Sequence, residues 1–168
     1  VGIGDVHPLP IAIPNFMGHT PADNDLGARM VGVIDNNLSH SGLFKVLDPR
    51  SFIQDSASAA EHPNFGEWKS VNAQALVTGQ VTHTADGRTR VEFRLWDVFG
   101  GSQMVGTAYM TTPSNWRRIA HIISDVIYKR LTGEEGYFDS RIVYISETGP
   151  ANMRIKRLAI MDQDGANH

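Results

Sequence analysis

Residues 75–112 read ALVTGQVTHTADGRTRVEFRLWDVFGGSQMVGTAYMTT, and this stretch decides the fold. Val91, Phe93 and Leu95 alternate with Arg90, Glu92 and Arg94. Period-two alternation gives a strand one buried face and one wet face. Asp86-Gly87 lies between two such runs and predicts a two-residue hairpin turn with positive φ at both centres. Gly100-Gly101 marks a second reversal. The stretch therefore predicts a three-stranded antiparallel meander.

Working back toward the start, FGEWKSVNA places Phe65, Trp68 and Val71 at helical spacing and predicts a short helix. Residues 48–62 are polar and small, which predicts a loop with one helical turn. Leu43 to Leu47 read as a strand. Before it, Leu26, Met30, Val33, Ile34 and Leu38 recur at three- and four-residue steps. Thr20 followed by Pro21, with Asp23 near the positive helix end, marks that helix's start. Gly42 marks its stop in the left-handed conformation. Ile11 to Ile13 form a short strand that Pro10 and Pro14 confine. Strand, helix, strand predicts a crossover unit on one sheet.

Working forward, Trp116, Ile119, Ile123, Val126, Ile127 and Leu131 form the apolar stripe of a second long helix. Ser114 or Asn115 is its expected cap and Gly133 its stop, with Arg117, Arg118, His121, Asp125 and Lys129 expected to face outward. The fold expectation is α/β: a five-stranded mixed sheet packed by two main helices on one face. The expected divisions are an arm at 1–8, the α/β domain at 9–132, a linker at 133–140, and two further strands within 141–168. RIVYIS and KRLAIM, followed by Asp-Gln-Asp-Gly, predict those last strands. A lone hairpin is marginal in water, so they read as the opening of a larger β domain.

The 168 residues carry a net charge of −3 and a pI near 6.1 without a basic run, so the composition offers no electrostatic footprint for nucleic acid. No apolar stretch approaches the ~20 residues that span a bilayer, so direct membrane insertion is not expected. There is no cysteine, hence no disulfide or thiolate metal site. The chain begins at Val1 rather than Met, which fits removal of a signal peptide. His7, His19, His40, His62, His83, His121 and His168 are scattered, match no metal-ligand spacing and read as solvent-exposed. Asp23 and Asp25 read as helix-start acids rather than a catalytic pair, and Ser39-His40-Ser41 lacks the distant partners of a triad. The GIG at 2–4 and the glycine pair at 100–101 cradle no phosphate, because neither follows a strand and opens a helix. DQDGAN at 162–167 reads as a turn rather than a calcium loop. Arg117, Arg118 and Lys129 read as a solvated face, and Trp96, Tyr109 and Met110 as packing residues. No cofactor or metal is expected. Binding or scaffolding is the leading class, with a small-ligand-binding or enzymatic α/β domain as the alternative.

PLPIAIPNF, NNLSHSGLFKVLDPRSFI, GQVTHTADGRTRVEFRLWDVFGG and HIISDVIYKRLTGEEGYFDSRIVYIS together resemble the TolB family, the periplasmic component of the bacterial Tol–Pal system. The form with PLPIAIPNF is most similar to that of alphaproteobacteria. The resemblance covers nearly the whole chain. It implies an amino-terminal α/β domain followed by a β-propeller, of which residues 141–168 would be the incomplete first blade. It implies a periplasmic, non-enzymatic adaptor that helps maintain outer-membrane integrity and supports envelope constriction at cell division. The partners it implies are a TolA-like inner-membrane protein and a Pal-like outer-membrane lipoprotein. Pal would bind through propeller blades that this sequence does not include. TolA would bind through the amino-terminal arm, here Val1, Gly2, Ile3, Gly4, Asp5 and Val6. An arm that adds a strand to a partner's sheet needs few specific side chains.

Overall fold

The computed structural model describes residues 7–139, 142–148 and 155–161. The arm residues Val1 to Val6 and the Asp-Gly turn at 162–167 lie outside the described residues. A five-stranded mixed sheet forms the centre, with β1 (Leu9–Ala12), β2 (Phe44–Val46), β3 (Ala75–His83), β4 (Thr89–Asp97) and β5 (Ser102–Thr111) in the order β2-β1-β3-β4-β5. β1 runs parallel to both β2 and β3, and β3, β4 and β5 form the antiparallel meander. β1 starts two residues earlier than its apolar run predicts and includes Pro10. Leu9 donates its N–H to the Leu43 carbonyl at 2.9 Å, which anchors the strand's first residue.

Both hairpins form, but the first turn differs from expectation. Only Gly87 takes positive φ (85°), while Asp86 stays in the ordinary region. Gly87 N–H bonds to the Thr84 carbonyl at 3.0 Å and Thr84 N–H to the Arg88 carbonyl at 2.8 Å. That is a three-residue loop closed by a glycine bulge, the next commonest hairpin after the two-residue type. The Asp86 carboxylate favours it by accepting from the Thr84 hydroxyl and from Arg88 Nε. These bonds, the Thr84 hydroxyl foremost, hold the Asp86 pKa below the usual carboxylate value.

Two long helices cover one face of the sheet. α1 (Pro21–His40) starts as its sequence predicts: Thr20 Oγ1 accepts the Asp23 N–H at 3.1 Å, and Pro21 occupies the first turn. Past its end, Gly42 takes φ 78°. The second long helix spans Trp116–Thr132, with Gly133 at φ 79° closing it. Ile11, Val77, Val81, Val91, Phe93 and Leu95 from the strands meet Leu26, Met30, Ile34, Leu38, Ile119, Ile123 and Ile127 from these helices in one core. Each such side chain contributes about 1.5–3 kcal/mol by leaving water.

The two main helices share one face, as the sequence predicts, and the opposite face is not bare either. The 48–70 region folds into a 3₁₀ turn (Pro49–Ser51) and two short helices, α2 (Ser56–Glu61) and α3 (Phe65–Ser70). The remaining long helix is α4 in chain order. Trp68, Ala59, Ala73, Leu76, Ala12 and Val98 make a second, smaller core there, with Phe52 set edge-on against Trp68 at 4.9 Å. Trp68 Nε1 donates to Gln54 Oε1 at 2.8 Å, so the buried indole keeps a partner. The strands β6 (Ile142–Thr148) and β7 (Ile155–Met161) pair antiparallel as a separate two-stranded sheet.

Candidate functional site

Several readings of polar residues change in the structure. His121 does not face solvent: it is 1% exposed, between α1 and α4. Asn37 Nδ2 approaches His121 Nδ1 at 2.9 Å and Ser124 Oγ at 3.1 Å. Ser124 spends its own hydrogen on the Ala120 carbonyl at 2.9 Å, so its oxygen must accept from Asn37. That orients the amide and makes His121 Nδ1 the other acceptor. Three polar groups thus lock the two long helices in one register inside an otherwise apolar contact.

Asp125, also expected to point outward, is half-buried and holds the chain that follows α4. Its two carboxylate oxygens accept the N–H of Phe138 at 2.7 Å and of Asp139 at 2.9 Å. Burial pushes the Asp125 pKa above the usual 3.8, against the pull of these two donors. Gly136 passes so close that a Cβ there would lie 2.4 Å from Asp125 Oδ1. Arg118 pairs with Asp139 at 3.4 Å, and Lys129 with Glu135 at 2.6 Å. Phe138 is 3% exposed within the main core, and Tyr128 contacts both Phe138 (5.6 Å) and Tyr137 (5.7 Å) edge-on. The stretch 133–139 is therefore seated on α4. Its bulky Tyr-Phe pair was the signal for this in the sequence.

Asp23 does more than complement a helix dipole. It is 3% exposed and pairs with His83 at the end of β3, tying the first turn of α1 to the sheet. His83 remains exposed on its outer side. The expected cap of α4 is absent. Asn115 makes no side-chain cap bond and instead donates to Thr111 Oγ1 at 3.1 Å, with a 3₁₀ turn (Pro113–Asn115) leading in. Met110, read as a packing residue, is 44% exposed, whereas Trp96 packs on Phe65 and donates to Thr78 Oγ1 at 2.9 Å.

The arrangement contains no assembled catalytic centre among the described residues. Ser39 donates to Asp35 on its own helix at 3.1 Å and is not joined to a base. Glu92, on the sheet face that carries α2 and α3, is held between Arg90 (2.9 Å) and Arg94 (3.1 Å). Among the described residues no cluster of three or more His, Asp or Glu is placed to hold a metal ion. No described helix is long and apolar enough to cross a membrane. What the domain presents is a strand anchored at its first residue, Leu9, and a fixed seat for the chain that follows α4. Val1 to Val6, the residues with an expected partner role, lie outside the described residues, but the strand they lead into is internal to the sheet, between β2 and β3.

Comparison with known proteins agrees with this architecture. The family model described as the TolB amino-terminal domain matches residues 1–104. The chain is 55% identical over 165 residues to the Tol-Pal system protein TolB of Paramagnetospirillum magneticum, which covers 98% of this chain and 37% of that protein. The crystal structure of TolB from Acinetobacter baumannii superposes with a TM-score of 0.72 at 26% identity, over 95% of this chain and 37% of that one. The lipoprotein GNA1162 of Neisseria meningitidis shares the fold at a TM-score of 0.50 and 14% identity, over 74% of this chain and 98% of that one. This chain thus spans a little over a third of the length of its TolB relatives. It belongs to the TolB family of Tol–Pal system proteins.

Proposed function

We propose that this chain is the amino-terminal part of a periplasmic, non-enzymatic adaptor of the Tol–Pal system. In this reading the arm Val1 to Val6 engages a TolA-like inner-membrane protein. A Pal-like lipoprotein is engaged by propeller blades, which the strands β6 and β7 would open. Residues 9–132 are the platform between them, with 133–140 leading into the propeller. The observation that carries the reading is the 55% identity to a Tol-Pal system TolB across nearly the whole chain. The geometry supports it in kind. The sequence from Val1 leads directly into a strand bonded on both sides, so a load on the arm would reach the centre of the sheet rather than a frayed edge.

The test is calorimetric. The soluble domain of the TolA-like protein from the same organism is titrated into the chain with and without Val1 to Val6. The intact chain binds and the shortened one does not. Equal affinity for both would remove the arm from the mechanism.

A further inference from the structure

β5 is an edge of the sheet: among the described residues β4 is the one strand beside it. We propose that β5 pairs antiparallel with β5 of a second copy about a twofold axis at Ala108, so that the two sheets become one. The contact uses neither the arm nor the chain after α4, and it stands or falls apart from the adaptor reading.

The first argument is the edge itself. Exposed strand edges template further pairing, and proteins blunt them with short strands, lysine or proline. The opposite edge follows that rule, because β2 has three residues and the middle one is Lys45. β5 has ten residues with no charge and no proline. Its bulge, opposite Leu95 and Trp96, lies near its start and leaves Val105 to Thr111 in regular register.

The second argument is the phase of the ladder. Gly79 and Val81 turn their backbone bonds to Met17, so Gln80 turns its own to Glu92 on β4. Val91 and Phe93 then face β5 and meet Tyr109 and Thr107. The N–H and C=O groups of Gly106, Ala108 and Met110 consequently point out of the sheet. A second β5 with Ala108 opposite Ala108 pairs all three, Gly106 with Met110 on either side of the axis, and each pair exchanges both of its N–H···O bonds. Met110, 44% exposed, then lies beside a glycine, where the stem of Arg94 and the flexible end of Gln103 form the floor. No like charges meet across the axis, because β5 carries none.

The helix above the edge says what covers it. α4 follows β5 after one 3₁₀ turn and packs back over β4 and β5. His121 and Ser124 mark its flank toward α1. Ile122 and Val126, four residues apart and roughly opposite that flank, are half-buried. A twofold axis at Ala108 sets a second α4 alongside the first and covers this flank, which continues the contact from strand to helix. An isologous dimer needs such a self-complementary surface. A lone extended peptide would pair the edge and leave Ile122 and Val126 in water.

The 168-residue chain is followed by sedimentation equilibrium from about 1 µM to 1 mM, and a monomer–dimer equilibrium is expected. Ala108→Lys sets two ammonium groups opposite each other at the axis and weakens the dimer by about tenfold or more, less so at high salt. Ala108→Pro removes the axial donor from each copy and weakens it about a hundredfold, roughly tenfold for each bond. Its Tm stays within about 3 °C of the parent, because an outward N–H serves no bond to β4. The chain has no cysteine, so Ala108→Cys gives a single thiol. On oxidation it cross-links to its copy, with Cα atoms about 5.5 Å apart. Gln103→Cys, also exposed on β5, lies about 30 Å from its copy in this register and does not cross-link. Should Ala108→Pro fail to fold, the lysine and cysteine variants decide. The proposal is overturned if the chain stays monomeric throughout, if Ala108→Lys dimerises as tightly as the parent, or if Gln103→Cys cross-links as fast as Ala108→Cys.

Discussion

Asp125 shows how much one side chain can carry. Replacing it with alanine strands the N–H groups of Phe138 and Asp139, both now satisfied by its carboxylate. Bonds to a charged acceptor exceed neutral ones, and partial exposure limits the loss, so Asp125→Ala is expected to cost on the order of 2 kcal/mol in denaturant unfolding. Its titration acts in the opposite sense. Because burial raises its pKa above 3.8, the folded state holds the proton more tightly than the unfolded state does. That contribution to stability is complete below 3.8 and is lost as pH rises through the folded value. The stability of wild type relative to Asp125→Asn should therefore decline as pH is raised from about 3 to 6, read from urea melts across the series. Neither role was legible in the sequence. A helical wheel sorts residues by polarity, and polarity placed Asp125 and His121 outside. What buries them is contact with residues distant in the chain: Asn37 is 84 positions from His121, and Asp139 is 14 positions from Asp125.

At the scale of the element, α1 depends on close approach as well as on its apolar stripe. A Cβ at Gly27 would lie 1.9 Å from the Phe16 carbonyl oxygen and 2.6 Å from its carbon. Backbone cannot yield as a flexible side chain does, so Gly27→Ala should cost more than about 3 kcal/mol or prevent folding, seen as a lost or strongly lowered thermal transition. By contrast, Thr20→Ala removes only the cap bond to Asp23 and should cost about 1 kcal/mol. The long elements were legible because their signals are local. β4 alternates, α1 is capped, and α4 carries its stripe of isoleucines. The failures have equally definite causes. On the second sheet face, Phe65, Trp68 and Val71 marked the later of two six-residue helices and the earlier one read as a helical turn in a loop; what stayed hidden was that both pack on the sheet, because neither is long enough to show an apolar stripe. The hairpin at Asp86-Gly87 took a bulged loop because side-chain bonds from Asp86 outweighed the dipeptide preference. The cap of α4 failed because Asn115 turned back to Thr111.

At the scale of the molecule, a run of packed aromatic rings links the start of the sheet to the chain that follows α4. Leu9, the first residue of β1, donates to Leu43, next to β2. Phe44 of β2 lies 6.2 Å from Tyr128 of α4, and Tyr128 contacts Tyr137 and Phe138 beyond the helix. Packed groups of this kind open together when they belong to one cooperative unit, and separately when they do not. Tyr128 discriminates the two cases because it touches both sides. Truncation of a half-buried aromatic to alanine should cost about 2–3 kcal/mol, less than the loss at a fully buried site. If the start of β1 and the segment after α4 form one unit, hydrogen exchange in Tyr128→Ala speeds at the Leu9 amide and the Phe138 amide by the same free energy. Acceleration at Phe138 alone would mean that the segment is a local appendage of α4. The first outcome is expected, because Phe44 and Phe138 are both buried in one contiguous core whose other members span β1, β3, β4 and both long helices. A load on the start of β1 would then be resisted by the whole domain rather than by that strand alone.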